Sequence, residues 1–138
     1  KAGMFVTLFY GTLSQKDRTL TYVNAGHNPP VVYRGLNGSV EELMPTGIVL
    51  GAVENREYHS RTISIGPEDV IVMYTDGVTE SINTAEELFG EERLYSVIRK
   101  NAHMPAHDIL EKILEDVSRF TADMPQFDDI TLMVIKGK

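Results

Sequence analysis

The sequence predicts an α+β domain with mostly antiparallel strands, and three observations support this fold class. Residues 4–75 contain short runs of β-branched and aromatic residues, separated by turn-forming residues. Residues 91–120 instead carry apolar side chains at helical spacing. The last apolar run, Ile130 to Ile135, returns to a strand pattern. Six or seven strands, then helices and one more strand, predict layers of sheet and helix in a single domain over residues 1–138.

The first part of the chain predicts a series of antiparallel strands. A polar turn at residues 14–18 separates the first two strands and predicts a hairpin between them. Asn37-Gly38 predicts a second hairpin with a two-residue turn. The strands predicted before the central one are 4–13, 19–24, 31–34, 39–43 and 58–65.

The central predicted strand is the apolar run Val70 to Tyr74, which is too short for a core helix and is rich in β-branched and aromatic residues. A strand of this composition is expected to be buried on both faces. It ends in Thr75-Asp76-Gly77. A carboxylate at the end of a rigid strand, beside a glycine, is well placed to bind a metal ion. An ordinary turn is the alternative, because Asp-Gly is also a favoured turn pair.

The helical part of the chain follows. The Thr-x-x-Glu pattern of Thr84 to Glu87 predicts a capping box, and a helix is expected over residues 91–101. The acidic residues there, Glu86, Glu87, Glu91 and Glu92, are interpreted as residues that favour a helix start. Pro105 suits the first position of the next helix. The apolar stripe of this helix is predicted to pack in the core and consists of Ile109, Leu110, Ile113, Leu114, Val117 and Phe120.

A second acidic site, Asp128-Asp129, directly precedes the final strand. If this strand is the antiparallel neighbour of the central strand, these carboxylates lie beside Asp76. Two carboxylates ~4 Å apart repel by about 4 kcal/mol at an effective dielectric near 20. Such a cluster predicts a hard cation, Mg²⁺ or Mn²⁺, because oxygen ligands suit these ions. The alternative is that Asp128 or Asp129 only caps a turn.

Composition excludes several classes of site. The formal charge is −7, from 13 basic and 20 acidic residues, with no basic run, which argues against nucleic acid or an anionic membrane as the main partner. The absence of cysteine excludes disulfides, thiolate metal sites and cysteine nucleophiles. No apolar run approaches the ~20 residues of a membrane span, and no signal-peptide pattern occurs. A cytoplasmic location is therefore the expectation.

Five short motifs occur in order along nearly the whole chain, namely Phe5–Leu13, Leu20–Pro30, Tyr74–Glu80, Phe89-Gly90 and Asp128–Val134. Together they resemble the PPM metal-dependent protein serine/threonine phosphatases. The resemblance is to the bacterial branch typified by stage II sporulation protein E and by the stress-response phosphatases that act on anti-anti-sigma factors. Each motif alone has little specificity, and their order and spacing make the resemblance specific.

This resemblance implies an α/β sandwich and a pair of Mn²⁺ or Mg²⁺ ions that share and activate a water. That water attacks the phosphorus of phosphoserine or phosphothreonine in line, without a phosphoenzyme. By motif match, Asp76 and Asp128 are the expected metal ligands and catalytic residues. Asp129 is expected to lie behind them or to act as an alternate ligand, and Gly77 to let the backbone pass close to the metals. The substrate implied by analogy is a phosphorylated bacterial regulator such as an anti-anti-sigma factor.

The sequence departs from the family at one motif. The family has a further aspartate that bridges both metals, in a Gly-Asp-Val-x-Gly-His-Gly stretch that is absent from these 138 residues. We therefore expect the C-terminal portion of a phosphatase domain, truncated on its N-terminal side and inactive alone. Sheet edges would then lack partners, and the uncharged run Met4 to Tyr10 predicts self-association.

Two other functions are considered. The first is a non-catalytic module that has a phosphatase-like fold and binds a protein partner. The second is another divalent-metal hydrolase, which is disfavoured because no histidine or further carboxylate motif completes its site. His27, between Gly26 and Asn28, is interpreted as a turn residue that orders its loop, and the alternative is that it faces the site. His103 and His107 are interpreted as surface residues, since Pro105 between them prevents helical ligand geometry.

Overall fold

Two antiparallel sheets form the centre of this computed structural model, which describes residues 3–138 of the chain. Within these residues the strands are β1 (Leu8–Ser14), β2 (Thr19–Ala25), β3 (Val31–Tyr33), β4 (Val40–Glu42), β5 (Arg61–Ser64), β6 (Val70–Tyr74) and β7 (Leu132–Lys136). The helices are α1 (Asp76–Thr79), α2 (Gly90–Asn101) and α3 (Ala106–Thr121). The order of six strands, helices and one last strand confirms the predicted α+β class.

The first sheet has the order β1-β2-β5, and the second has the order β4-β3-β6-β7. Neighbouring strands in both sheets are antiparallel. The predicted first hairpin is confirmed, with Leu8 opposite Ala25 and Ser14 opposite Thr19. The pairing of β6 with β7, which the sequence left conditional, also forms and runs from Val70 opposite Lys136 to Tyr74 opposite Leu132.

The central strand β6 separates two hydrophobic clusters. Its Ile71 packs between the sheets, in the cluster of Leu20, Tyr22, Val32, Leu43 and Ile71. Val70, Val72 and Tyr74 point the other way, into a larger cluster with the helices that includes Leu94, Ile98, Ile109, Ile113 and Val117. Burial on both faces is thus confirmed. Each fully buried aliphatic side chain contributes roughly 1.5–3 kcal/mol, so β6 is the most firmly held part of the described fold.

The predicted capping box at Thr84 to Glu87 is wrong, because no helix begins there and α2 starts at Gly90. The side-chain oxygen of Asn83 accepts hydrogen bonds from the backbone amides of Ala85 and Glu87, both at 3.0 Å. Those amides are therefore satisfied in a tight turn instead of a first helical turn. Glu86 adopts a positive φ of 62°, which a helix interior does not allow.

Two further predictions about the strands need correction. The turn between β3 and β4 spans four residues, since the backbone amide of Arg34 donates to the carbonyl of Ser39 (2.8 Å) and that of Gly38 donates to the carbonyl of Arg34 (2.8 Å). A two-residue Asn-Gly turn is thus not formed. The first strand begins at Leu8 instead of residue 4, and Val6 makes only an isolated bridge to Leu50.

Asp69 fastens the loop at the start of β6. Its carboxylate accepts hydrogen bonds from the backbone amides of Gly66 (2.8 Å) and Gly35 (2.9 Å) and from the Arg34 guanidinium (2.9 Å). Burial alone would raise the pKa of Asp69, but the two amides and Arg34 together lower it below its ordinary value. The ionised carboxylate is therefore part of the folded structure.

β1 forms one edge of the first sheet and is largely exposed. Val6 and Tyr10 each expose 61% of their surface, and Met4 exposes 73%. His103 precedes α3, His107 lies within it and both are exposed, which confirms the prediction of surface histidines without helical ligand geometry. Within residues 3–138, no helix combines the length and apolar character that membrane crossing requires.

Candidate metal centre

The pairing of β6 with β7 brings the predicted acidic residues to one end of the second sheet. β6 ends at Tyr74 opposite Leu132, so Asp76 follows one strand and Asp128 precedes the other. Thr75 joins the two segments: its hydroxyl donates to the carbonyl of Asp129 (3.0 Å) and accepts from the amide of Thr131 (2.9 Å). A backbone hydrogen bond from Thr75 to Thr131 (3.1 Å) continues the ladder.

Asp76, Asp128 and Asp129 line one cavity of about 270 Å³, together with Thr7, Gly26, His27, Asn28 and Thr75. The structure therefore brings together the three acids that the sequence selected. No lysine or arginine is among the described residues that line this cavity. Carboxylate oxygens are the donors that Mg²⁺ and Mn²⁺ prefer, so the donor set fits such an ion chemically.

The set of ligands from these residues is incomplete. Within residues 3–138, no group of three or more histidine, aspartate or glutamate side chains is arranged to hold a metal ion by itself. The carboxylates of Asp76 and Asp128 are of a type that suits Mg²⁺ or Mn²⁺, but the described residues do not complete a set of ligands around them.

Gly77 allows the two acidic segments to approach each other. A Cβ at this position would lie 2.2 Å from the carbonyl oxygen of Asp129 and 3.3 Å from that of Asp128. The first distance is far below any normal contact, so a larger residue would displace the chain. The carbonyl of Gly77 accepts a hydrogen bond from the Ser81 hydroxyl at 2.6 Å. Gly77 thus acts here by close backbone approach, and the neighbouring chain is the segment of Asp128 and Asp129.

The loop after β2 supplies a further part of the cavity wall, and most of its hydrogen bonds were missed by sequence reasoning. Asn24 is fully buried; its amide donates to the carbonyl of Leu43 (2.9 Å) and its side-chain oxygen accepts from the backbone amide of His27 (2.8 Å). The Asn28 amide donates to the carbonyl of Tyr74 (3.0 Å) at the end of β6. The run Asn24-Ala-Gly-His-Asn28 after a strand was the available signal.

Two tyrosines, Tyr74 at the end of β6 and Tyr95 in α2, have raised pKa values. Burial raises the pKa of Tyr74 to about 12. Burial, followed by the hydrogen bond that Tyr95 donates to the Glu42 carboxylate (2.5 Å), also raises the pKa of Tyr95. Both phenols are therefore neutral at physiological pH, and neither is suited to act as a base or nucleophile.

A second, larger cavity of about 420 Å³ adjoins the first and shares Asp128 with it. Its walls are the end of α3, the loop from Met124 to Phe127, and the segment around Gly77. Phe127, at the rim, exposes 72% of its surface. The candidate metal cavity thus opens beside a groove that is large enough for several side chains.

Comparison with known proteins adds a family and a fold. A sequence model of the family described as Stage II sporulation protein E (SpoIIE) matches residues 1–138. Protein IcfG of Synechocystis sp. is 32% identical over 132 residues, which are 96% of this chain and 20% of that protein. The phosphoserine phosphatase RsbU of Bacillus subtilis is 28% identical over 137 residues, covering 99% of this chain and 40% of RsbU.

Solved structures share the fold. The SiaA-PP2C domain of Pseudomonas aeruginosa superposes with a TM-score of 0.77 at 20% identity, covering 94% of this chain and 51% of that one. The catalytic domain of the serine threonine protein phosphatase PstP, in complex with 2 manganese ions, gives a TM-score of 0.64 at 14% identity. This match covers 96% of this chain and 58% of the PstP domain. This chain therefore spans a fifth to two fifths of the two relatives and just over half of these two domains.

Proposed function

Because this chain belongs to the SpoIIE family and has the PPM phosphatase fold, we propose that it supplies part of the catalytic site of a metal-dependent protein serine/threonine phosphatase. The observation that carries the proposal is the meeting of Asp76 and Asp128 in one cavity, at adjoining ends of two antiparallel strands. An ordinary strand-to-turn junction would not require both carboxylates to line the same cavity. The described geometry supports a shared ligand role for them.

Asp76 and Asp128 are proposed to bind Mn²⁺ or Mg²⁺ through their carboxylate oxygens, with Asp129 as an alternate ligand. Such an ion would, when bound, neutralise charge on the phosphoryl oxygens and lower the pKa of a water molecule. The two manganese ions in the PstP structure support this choice of metal. Because the described residues give an incomplete set, we expect them to bind one cation in the millimolar range at best and to be inactive without the bridging aspartate of the family.

The proposed substrate is a phosphoserine or phosphothreonine side chain on a regulatory protein. The name of RsbU, a phosphoserine phosphatase, supports this substrate class. The larger cavity beside Asp128 would accept the residues that flank the phosphorylated side chain. An anti-anti-sigma factor as the specific substrate, and a cytoplasmic location, rest on family analogy and stay predictions.

A non-catalytic interaction module is the second candidate function. The observation in its favour is that no complete metal-binding group is present within residues 3–138. A module that only binds a partner has no use for Asp76 and Asp128, so its partner binding would be insensitive to their replacement. This difference separates the two functions in one experiment.

The test is phosphate release from a phosphoserine peptide by the full-length protein with Mn²⁺, with metal affinity measured by calorimetry. Asp76→Asn and Asp128→Asn should each lower kcat/KM at least about 100-fold, since metal catalysis supplies several kcal/mol. Asp129→Asn should lower it less. Asp108→Asn, the same change at an exposed position in α3, is the matched control. Unchanged turnover and Mn²⁺ affinity in Asp76→Asn and Asp128→Asn would disprove the proposed function.

A further inference from the structure

His27 lies in the cavity of Asp76 and Asp128, and its loop is held in place without the imidazole ring. On one side, the side chain of the buried Asn24 accepts a hydrogen bond from the backbone amide of His27. On the other, the Asn28 side chain donates a hydrogen bond to the carbonyl of Tyr74 at the end of β6. Gly26 makes the bend with a φ of 70°, and a Cβ there would meet Val49 at 2.5 Å. The turn is thus ordered by amide side chains and a glycine, so loop ordering leaves the imidazole without a structural task.

The ring is nevertheless oriented. Its Nδ1 lies 3.1 Å from the hydroxyl oxygen of Thr7, which directly precedes β1. With the Thr7 hydroxyl as donor, the neutral ring carries its proton on Nε2, and a protonated ring carries one there as well. Within residues 3–138, no protein group forms a hydrogen bond with Nε2. With Thr7 as the donor, the protonated nitrogen is therefore free to donate to a ligand.

The chemistry of the cavity indicates which ligand this is. Three carboxylates line one part of the wall, and among the described lining residues His27 is the single side chain able to carry a positive charge. Cations bound by the carboxylates would attract a phosphate group, but its oxygens that face away from them need hydrogen-bond donors. His27 and Asn28 also line this cavity, and His27 is in a position to supply such a donor.

We propose that His27 is a phosphate-contacting residue, whose Nε2–H donates a hydrogen bond to a phosphoryl oxygen of the substrate. This inference rests on the proposed phosphatase function and assigns a specific contact within it. His27 has no part in holding the metal. Thr7 is then a positioning residue, which acts by setting the rotation of the imidazole.

The first test compares variants of the full-length protein with Mn²⁺ and a phosphoserine peptide. His27→Ala should lower kcat/KM by about 10- to 100-fold, the usual range for a hydrogen bond to a charged group. His27→Gln should recover part of this loss because its amide also donates. The affinity for Mn²⁺ should stay within about twofold of wild type in both. His107→Ala, at a side chain that is 79% exposed in α3, is the matched control and should behave as wild type.

The second test does not depend on turnover. In the full-length protein with Mg²⁺, titration with inorganic phosphate should shift the imidazole nitrogen resonances of His27, which are identified by their loss in His27→Gln. The resonances of His103 and His107 should not move. Thr7→Val should weaken phosphate binding in the same direction as His27→Ala but by less.

Three results would overturn the assignment: equal kcat/KM in His27→Ala and His107→Ala, loss of Mn²⁺ binding in His27→Ala, or His27 resonances unmoved at saturating phosphate. Failure of the proposed function looks different. In that case the wild-type protein releases no phosphate, or Asp76→Asn keeps full activity, while the phosphate titration still reports whether His27 makes the contact.

Discussion

Replacing Gly77 by alanine perturbs the spacing of the two strand ends and leaves every carboxylate in the sequence. The added methyl group would lie 2.2 Å from the carbonyl oxygen of Asp129, 2.8 Å from its carbonyl carbon and 3.3 Å from the carbonyl oxygen of Asp128. All three atoms belong to backbone, which cannot swing aside as a long side chain can. The segment of Asp128 and Asp129 must therefore move relative to Asp76.

The size of this movement follows from the contact distance. Ordinary contacts of a Cβ begin near 3.4 Å, so the 2.2 Å approach requires a shift of 1.2 Å (3.4 − 2.2). A misplacement of about 1 Å at a reacting centre costs on the order of 100-fold in rate, and an overpacked methyl group costs about 1–3 kcal/mol in stability. Alanine favours a helix over glycine by about 1 kcal/mol, so any loss of stability in Gly77→Ala must come from the clash.

The assay is kcat/KM of the full-length protein with a phosphoserine peptide, together with urea unfolding. Gly90→Ala is the control: Gly90 has a φ of 74°, but nothing lies within 4 Å of an added Cβ. Because alanine is strained at this positive φ, Gly90→Ala should lower the unfolding free energy by about 1–2 kcal/mol, and it should leave kcat/KM unchanged. If Gly77→Ala retains wild-type kcat/KM and stability, the close approach at Gly77 does not set the geometry of the site.

The remaining predictions concern Asp69 and the exposed edge of the first sheet. Since the folded-state pKa of Asp69 is lowered, its ionised form stabilises the fold above the ordinary value near 3.9, and this contribution is lost as the pH falls through the lowered pKa. Urea unfolding between pH 7 and pH 2.5 should therefore show a smaller acid-induced loss in Asp69→Asn than in wild type, and parallel curves would contradict this. The chain of 138 residues should self-associate through the edge that includes Val6 and Tyr10, each 61% exposed, and Tyr10→Lys should reduce the association. Light scattering over a concentration series measures this, and a monodisperse wild-type monomer at high micromolar concentration would refute it.

The sheet framework and the position of the acids could be predicted because each depends on a local pattern. The run Val70 to Tyr74 is apolar at every position, and only a strand covered on both faces buries all of it. Carboxylates that follow one strand and precede another come to the same end of the sheet if the strands are antiparallel neighbours, as β6 and β7 are. The sequence left this pairing conditional, because periodicity does not show which strands are neighbours.

What the sequence did not reveal depends on contacts between distant segments. The Thr-x-x-Glu pattern at Thr84 is a valid cap locally, but Asn83 satisfies the same amides in a tight turn. The anchoring roles of Asn24 and Asn28 depend on the carbonyls of Leu43 and Tyr74, which are 19 and 46 residues away. Such pairs cannot be predicted from periodicity, because a single buried amide side chain produces no repeating pattern in the sequence.

The electrostatics of the cavity give the proposed cation a second role, in the stability of the fold. Two carboxylates about 4 Å apart repel by about 4 kcal/mol at an effective dielectric near 20, and a third adds to this. The hydrogen bonds by which Thr75 joins the two segments are neutral and contribute about 1 kcal/mol each. These bonds fix the direction of the chain, and the described lining residues include no lysine or arginine to offset repulsion among the carboxylates. Under the proposed function, a cation bound by Asp76 and Asp128 would offset that repulsion, and its binding would then also add to the stability of this end of the sheet.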